Sequence, residues 1–203
     1  MKQITINNLT KNYRRKTIFR NVNLKLTNEK INFLVGDNGS GKSTFIKCLL
    51  NQVKYEGIID KCNLLIGYAP EKVVLPDYMT MKDYLITLSK INSNSKDYSS
   101  VLKYYMSIFS IEKYYEQPIY KLSKGTKQKI TLIQALMSNS DIYIFDEPLN
   151  GLDERSQRFF INDIRRLFNL EKIIIISTHY LDSYKFKNKM IINFPLGDEN
   201  EIT

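Results

Sequence analysis

The sequence predicts an α/β fold with a mainly parallel sheet, on the basis of three observations. Several short runs of the chain are continuously hydrophobic, which is typical of strands covered on both faces. Segments with apolar residues at helical spacing alternate with these runs. Five of the eight glycines lie in short motifs between the two kinds of segment, where the backbone must turn.

The predicted strands follow one another along the chain. They cover Ile31–Val35, Leu64–Tyr68, Ile142–Phe145, Ile173–Ser177 and Met190–Asn193. Each has the length of a buried strand, and none approaches the roughly 18–20 apolar residues that span a bilayer. Their alternation with helices predicts one main hydrophobic core.

Three helices are predicted between these strands. The first covers Ser43–Asn51 and follows a glycine-rich turn. The second covers Lys124–Met137, with Ser123 as its N-cap, and the third covers Glu154–Phe168. The positions of these helices complete the strand and helix alternation of an α/β fold.

The stretch from about Pro76 to Tyr120 departs from this alternation. It contains tyrosine-rich helical segments around Met81–Lys90 and Tyr98–Phe109, which predict a small helical lobe inserted into the core. Packing within the lobe, rather than stacking on nucleobases, is the favoured role of its tyrosines. These are Tyr98, Tyr104, Tyr105, Tyr114 and Tyr115.

Composition narrows the class of protein. The 203 residues are 43% hydrophobic and 25% charged, which excludes a disordered chain. The net charge of +9 comes from scattered basic residues and forms no block that would indicate a nucleic-acid patch. The N-terminus lacks the apolar core of a secretory signal, which predicts a cytoplasmic protein. Cys48 and Cys62 have no metal-ligand spacing, so free thiols are expected.

The strongest motif is Gly36–Thr44, which fits G-x-x-x-x-G-K-[ST] between a predicted strand and a predicted helix. Successive backbone N–H groups at a helix N-terminus surround a phosphate, and the helix dipole favours its negative charge. In such a loop Lys42 contacts the β- and γ-phosphates, and the Ser43 hydroxyl ligates Mg²⁺. The motif therefore predicts a nucleotide site.

Two adjacent carboxylates end the predicted strand at residues 142–145. Because neighbouring strand positions point in different directions, Asp146 and Glu147 are expected to have different roles. We expect Asp146 to reach the Mg²⁺ shell, and Glu147 to orient the water that attacks the γ-phosphate.

Two further segments have the chemistry of an anion site. Leu122–Thr126 offers a serine hydroxyl and unpaired backbone N–H groups at a helix N-terminus. His179 follows a predicted strand at its carboxyl end, where open α/β sheets bind ligands, and it is expected to contact the γ-phosphate and the attacking water. The chain thus carries two phosphate-binding devices, which serve one nucleotide only if the fold or a second chain brings them together.

With these segments in place, the chain resembles the ATP-binding subunit of an ABC transporter. Tyr13 falls where that family stacks an aromatic ring on adenine, and Glu71 occupies the Q-loop position as an Mg²⁺ ligand. Asp153 ends the D-loop, and His179 is the switch histidine. The remaining nucleotide-binding residues implied are those of the Walker A loop: Gly36, Asp37, Asn38, Gly39, Ser40, Gly41, Lys42, Ser43 and Thr44. The signature residues implied to act on the ATP of a second subunit are Ser123, Lys124 and Gly125.

The resemblance also implies an architecture and partners. The implied fold is a single ABC ATPase domain over 1–203, with a P-loop NTPase core, an N-terminal antiparallel β region and a helical subdomain at about 76–138. ATP and Mg²⁺ are the implied cofactors. A second ATP-binding subunit, as homodimer or heterodimer, and a separately encoded membrane permease are the implied partners. The permease would hold the protein at the cytoplasmic face of the membrane, and no nucleic acid is expected.

Two departures from the family pattern favour a subfamily. The signature is LSKGT, followed by Lys127, Gln128 and Lys129, and Glu71 replaces the usual glutamine. Both features resemble exporters of drugs, peptides and bacteriocins, so the expected direction of transport is export. A soluble ABC-type ATPase acting on nucleic acid remains the alternative, because the +9 charge is compatible with it.

Overall fold

The computed structural model describes residues 2–14, 16–91 and 98–196. The strands it contains are β1 (Gln3–Tyr13), β2 (Lys16–Thr27), β3 (Ile31–Val35), β4 (Glu56–Asp60), β5 (Ile66–Ala69), β6 (Ile142–Asp146), β7 (Ile173–Thr178) and β8 (Lys189–Asn193). The α-helices are α1 (Lys42–Leu49), α2 (Met81–Ile91), α3 (Tyr98–Ile108), α4 (Lys124–Leu136) and α5 (Glu154–Asn169). Short 3₁₀ turns cover Glu112–Tyr114, Ile119–Lys121 and Leu181–Ser183.

The predicted parallel sheet is present, in the order β5-β6-β7-β3-β8. All of its neighbouring strands are parallel. A second, antiparallel sheet has the order β2-β1-β4. The α/β class, the mainly parallel core sheet and the N-terminal antiparallel region are therefore confirmed.

Both faces of the parallel sheet are covered, which explains why its strands are continuously hydrophobic. On β6, Ile142 and Ile144 pack with α1 and the antiparallel sheet, whereas Tyr143 and Phe145 pack with the other helices. Each of these large side chains is almost fully buried, a burial that stabilises the fold by about 1.5–3 kcal/mol per residue. The two hydrophobic layers hold the sheet between them.

The helical segment lies between two strands that are neighbours in space. β5 and β6 are paired, but α2, α3 and α4 separate them along the chain, and α4 packs against β5. Four of the five tyrosines have the expected packing role, since Tyr98 and Tyr105 are buried and Tyr114 and Tyr115 pack, partly buried, against the core. Tyr104 does not, because it is 55% exposed. The subdomain boundaries at 76 and 138 stay a prediction.

Local irregularity explains why strand periodicity did not reveal the antiparallel sheet. The register between β1 and β2 shifts at three places along the pair. Asn8 and Asn21 adopt left-handed conformations with φ of 51°, which asparagine tolerates better than most residues. Each shift interrupts the alternation of buried and exposed positions on which a strand prediction depends.

None of the helices within the described ranges combines the length and hydrophobicity needed to cross a membrane.

Candidate functional site

The loop between β3 and α1 presents a helix N-terminus to the site. Its last residue, Gly41, is the N-cap of α1, with φ of 111°, a backbone conformation that favours glycine. A Cβ at Gly41 would lie 2.9 Å from Cγ2 of Ile18, so the loop also packs closely against β2. The first turn of α1 contains no acidic residue. Its N–H groups and dipole therefore favour an anion, as the motif predicts.

Lys42 lies folded into this loop and is only 5% exposed. Its Nζ donates hydrogen bonds to the carbonyl oxygens of Gly36 at 2.6 Å and Asp37 at 3.1 Å. The same Nζ lies 3.7 Å from Oε1 of Glu147. The phosphate loop and the carboxylate at the end of β6 are thus joined by one buried ammonium group.

The two carboxylates have different partners, as strand alternation predicts. Asp146 accepts a hydrogen bond from the Ser177 hydroxyl on β7. Glu147 adopts a left-handed backbone with φ of 48°, and its N–H donates to Oγ of Ser177 at 3.0 Å. Oε2 of Glu147 lies 2.9 Å from Nδ1 of His179. The structure therefore brings Lys42, Glu147 and His179 together.

Ser177 is a site residue that the sequence analysis missed. It is fully buried, and it holds Asp146 by its side chain and Glu147 by both its hydroxyl and its carbonyl oxygen. Its position could have indicated this role, because Ser177 ends a predicted strand and lies two residues before His179. In a parallel sheet, the carboxyl ends of neighbouring strands meet at one edge, and Asp146 pairs with Ser177 in the register.

A cavity of about 330 Å³ lies beside the phosphate loop. Within the described part of the chain, Oγ of Ser40 and Oε1 of Glu147 are buried side-chain atoms without a hydrogen-bond partner. Such atoms are costly unless a ligand satisfies them. The Ser40 hydroxyl can donate to a phosphate oxygen, whereas Oε1 of Glu147 only accepts and needs a donor such as a water beside the phosphate, so the site fits a hydrated phosphate-bearing ligand. The cavity is lined by Ile18, Asp37, Asn38, Gly39, Gly41, Lys42, Ser43, Thr44, Glu71 and Glu147.

The predicted Mg²⁺ ligands do not form a complete coordination shell by themselves. Ser43 and Glu71 line the cavity, while Asp146 is buried at the adjacent strand end. No group of three or more His, Cys, Asp or Glu side chains suited to a metal ion occurs among the described residues. Magnesium in nucleotide sites commonly uses one or two protein oxygens together with waters and phosphates, and this donor set fits that pattern.

Two tyrosines near the site, Tyr68 partly buried and Tyr184 buried, have raised pKa values. Burial, then the charges of Asp146 and Glu71, raise the pKa of Tyr68. Burial, then the charge of Glu147, raises the pKa of Tyr184 well above its ordinary value. Both phenols are therefore protonated at neutral pH and add no further negative charge to the site.

Tyr13 lies apart from the residues that line the phosphate cavity. It ends β1, pairs with Lys16 across the hairpin, and is 42% exposed. Ile18, a neighbour on the same hairpin, lines the cavity and contacts the loop at Gly41. Tyr13 thus has an accessible ring on the hairpin whose Ile18 contacts the phosphate loop, and its contact with adenine stays a prediction.

The signature residues lie in a different place. Ser123 caps α4, because its Oγ accepts a hydrogen bond from the N–H of Thr126 at 3.1 Å. A Cβ at Gly125 would lie 2.7 Å from the carbonyl oxygen of Gly151, so α4 and the D-loop approach closely. Ser123, Gly125 and Asp153 line a second cavity of about 330 Å³. The structure does not bring them to the phosphate loop.

Asp153 and Lys124 also have defined surroundings. The Asp153 carboxylate caps α5 and accepts a hydrogen bond from Lys129 at 2.6 Å, and this bond is the main cause of its lowered pKa. Lys124 lines a groove that it shares with Glu71. Glu71 therefore lies between the phosphate cavity and the N-terminal end of α4.

Comparisons with known proteins agree with this geometry. The family model described as ABC transporter matches residues 19–150. Zinc import ATP-binding protein ZnuC of Rickettsia conorii is 36% identical over 180 residues, covering 85% of this chain and 75% of that protein.

Solved structures share the fold. A structure described as the ATP binding subunit of an ABC transporter has a TM-score of 0.86 at 23% identity, covering 94% of this chain and 85% of the other. A dimeric ATP-binding cassette in a post-hydrolysis state, bound to ADP and phosphate, has a TM-score of 0.81 at 20% identity, covering 94% of each chain.

The fold and the site together define a P-loop protein that binds and hydrolyses a nucleoside triphosphate. The chain belongs to the ABC transporter family, and it contains the ATP-binding domain of that family. It is an ATPase. Subunits of this family dimerise and work with membrane permeases.

The first prediction concerns Ser177, which holds both carboxylates. Ser177→Ala should lower kcat for ATP hydrolysis about tenfold, a barrier change of about 1.4 kcal/mol, because Asp146 and Glu147 lose a common anchor. The Kd for ATP should stay within about twofold, since the phosphate loop is untouched. Steady-state kinetics and nucleotide titration measure the two effects. The control is Ser140→Ala, which removes the hydroxyl of another buried serine, near the start of β6, and should leave kcat unchanged. An unchanged kcat in Ser177→Ala would show that the anchor has no catalytic consequence.

Proposed function

We propose that this protein is the ATP-hydrolysing motor subunit of an ABC transporter and drives transport through a separately encoded permease. The observation that carries the proposal is the meeting of Lys42, Glu147 and His179 at the phosphate loop. A carboxylate that is 5% exposed and lies next to a phosphate site is suited to orienting an attacking water.

Each residue of the site has a proposed part in the reaction. The N–H groups of the Gly36–Thr44 loop and Lys42 bind the phosphates, and Tyr13 stacks on the base. Ser43, Asp146 and Glu71 would hold Mg²⁺, which neutralises charge on the phosphates when it is bound. Glu147 orients the water, and His179 fixes the carboxylate through its ring nitrogen.

Dimerisation is proposed to complete the site. The signature residues Ser123, Lys124 and Gly125 and the D-loop residue Asp153 do not line the phosphate cavity of their own chain. A second copy, or a related subunit, is therefore proposed to supply them to the ATP bound here. Each nucleotide then lies between the phosphate loop of one subunit and the signature of the other.

A groove on the helical segment is proposed to receive a cytoplasmic segment of the permease. A cavity of about 590 Å³ is lined by residues of α3 and α5 and by the end of α4. Val101, Tyr104 and Leu170 are exposed apolar residues along it, and Lys172 adds positive charge, whereas Arg166 is already paired with Asp163 at 3.0 Å. A short helix with an apolar face and an acidic residue fits this combination. This contact would hold the protein at the cytoplasmic face of the membrane.

Coupling between ATP and the permease is proposed to run through Glu71 and the helical segment at about 76–138. Glu71 lines both the phosphate cavity and the groove beside α4. Glu71 therefore connects the phosphate cavity with the residues at the start of α4, so a change at the phosphates can be passed to that helix through direct contacts.

The direction of transport has less support than the motor function. The LSKGT signature and Glu71 favour export, and export of a peptide, drug or similar compound stays a prediction. The comparisons do not support it, because the relative from Rickettsia conorii is named for zinc import, which favours the opposite direction. They give no support to the alternative of an ATPase acting on nucleic acid.

The second prediction tests the catalytic carboxylate. Glu147→Gln should abolish steady-state ATP hydrolysis, because an amide cannot accept the proton of the attacking water, while ATP binding persists. Lys42→Ala should instead weaken ATP binding. Nucleotide titration and phosphate release measure the two properties separately. Glu154→Gln, at an exposed glutamate on α5, is the matched control. Wild-type turnover by Glu147→Gln would refute the assignment.

The third prediction concerns ATP-dependent dimerisation. Light scattering of Glu147→Gln protein should show mainly monomer without nucleotide and dimer with ATP. Adding Ser123→Arg should block the shift, because the long cation fills the place of the γ-phosphate. Adding Ser123→Ala removes the same N-cap of α4 and the hydroxyl proposed to reach the ATP, but adds no bulk, so this protein should still dimerise with ATP, although more weakly. A dimer equally stable with and without ATP would contradict the proposed composite site.

The fourth prediction tests the permease groove. Tyr104→Glu should lower permease-stimulated ATP hydrolysis at least about fivefold, since it places a charge in the apolar contact. Basal hydrolysis by the subunit without permease should be unchanged. Tyr120→Glu is the matched control, because Tyr120 is equally exposed and does not line the groove. Full stimulation of Tyr104→Glu would place the permease elsewhere.

A further inference from the structure

Lys11 on β1 has unusual surroundings for a lysine. It is 6% exposed, and its Nζ donates a hydrogen bond of 2.6 Å to the carbonyl oxygen of Lys54. The same Nζ lies 4.1 Å from the centre of the Tyr13 ring. Within the described part of the chain, no carboxylate lies within ion-pair distance of this ammonium group.

A buried ammonium group needs partners, because its desolvation is costly. Here one partner is a backbone carbonyl and the other is the face of an aromatic ring, which attracts a cation through its quadrupole. Lys54 fixes the position of the cation, and the cation in turn restrains the Tyr13 ring. Since Tyr13 remains 42% exposed, the ring keeps surface that a ligand can cover.

The hairpin places this pair beside the phosphate loop. Lys11 and Tyr13 are two residues apart on β1, and the 4.1 Å distance from Nζ to the ring centre shows that their side chains meet on one face of the hairpin. Lys11 pairs with Phe19 and Tyr13 with Lys16 across the hairpin, and Ile18 between these two pairs lines the phosphate cavity. The restrained ring is therefore attached to an element that contacts the loop at Gly41.

We propose that Lys11 is a positioning residue for recognition of the nucleobase: it holds the Tyr13 ring on one face so that the other face is ready to stack on adenine. The inference rests on the proposed role of Tyr13 as the base contact. Lys11 itself touches neither the base nor the phosphates. A ring fixed before binding loses less conformational freedom when the base stacks. Lys11 should therefore increase the affinity for ATP and leave the rate of the chemical step unchanged.

The test compares nucleotide binding by full-chain variants. Lys11→Gln replaces the ammonium group by a neutral amide, which removes the charge but keeps N–H donors for the Lys54 carbonyl oxygen. It should raise the Kd and KM for ATP about fivefold, while kcat at saturating ATP is unchanged. The Kd for inorganic triphosphate, which has no base, should be unchanged as well. Lys11→Arg keeps the cation and should restore ATP binding to within about twofold of wild type.

A matched control separates base positioning from loss of a buried lysine. Lys61 is also partly buried and donates a hydrogen bond of 2.7 Å to a backbone carbonyl, that of Leu49. Lys61→Gln should leave the Kd for ATP unchanged. In a Tyr13→Leu background, Lys11→Gln should have no further effect, because the ring that it restrains is gone.

The outcomes distinguish this inference from the proposed function. If Tyr13→Leu leaves the Kd for ATP unchanged, Tyr13 is not the base contact, and the proposed role of Tyr13 fails together with the inference. If Tyr13→Leu weakens ATP binding but Lys11→Gln does not, only the inference on Lys11 is overturned. Equal weakening of ATP and inorganic triphosphate by Lys11→Gln also overturns it, since the effect would then not depend on the base.

Discussion

The buried carboxylate of Glu147 is the constraint on which the arrangement of the site depends. A carboxylate that is 5% exposed is stable only with charged or hydrogen-bonding partners. Lys42 supplies one from the phosphate loop, and His179 supplies another from the end of β7. These partners meet only because β6, β7 and β3 are neighbours in one parallel sheet. The order of the strands in the parallel sheet therefore determines which side chains meet at the site.

The backbone at Glu147 shows how closely the site is held. Its left-handed conformation costs a non-glycine residue about 1 kcal/mol or more. Hydrogen bonds from the Glu147 N–H to Ser177 offset that cost. Because the same Ser177 hydroxyl donates to Asp146, both carboxylate residues are anchored to β7. A rigid pair next to a phosphate loop suits a reaction in which the protein positions groups more than it reacts.

The residues proposed to act on the ATP of a second subunit have a different arrangement. Ser123 caps α4 and Asp153 caps α5, so each polar side chain already stabilises a helix within its own subunit. Gly125 and Gly151 allow the two helix starts to approach closely. A surface held by its own subunit in this way suits the proposed contact with ATP across a dimer interface. The Lys11–Tyr13 pair is likewise held within its own subunit, at the proposed base contact.

Local chemistry explains what the sequence alone could determine. The Gly36–Thr44 motif, the carboxylates at the end of β6, the Ser123 cap and the buried strands each depend on residues close in the chain. The Ser123 cap and β3 were predicted at their observed places, and the other parallel strands to within about two residues. The antiparallel sheet was available only through resemblance, because bulges near Asn8 and Asn21 interrupt its alternation. Contacts between distant residues required the tertiary structure. His179 lies 32 residues from Glu147, and Ser177 lies 31 from Asp146. Only the pairing of β6 with β7 brings these residues together, since strand order depends on how the whole core packs and no local pattern encodes it.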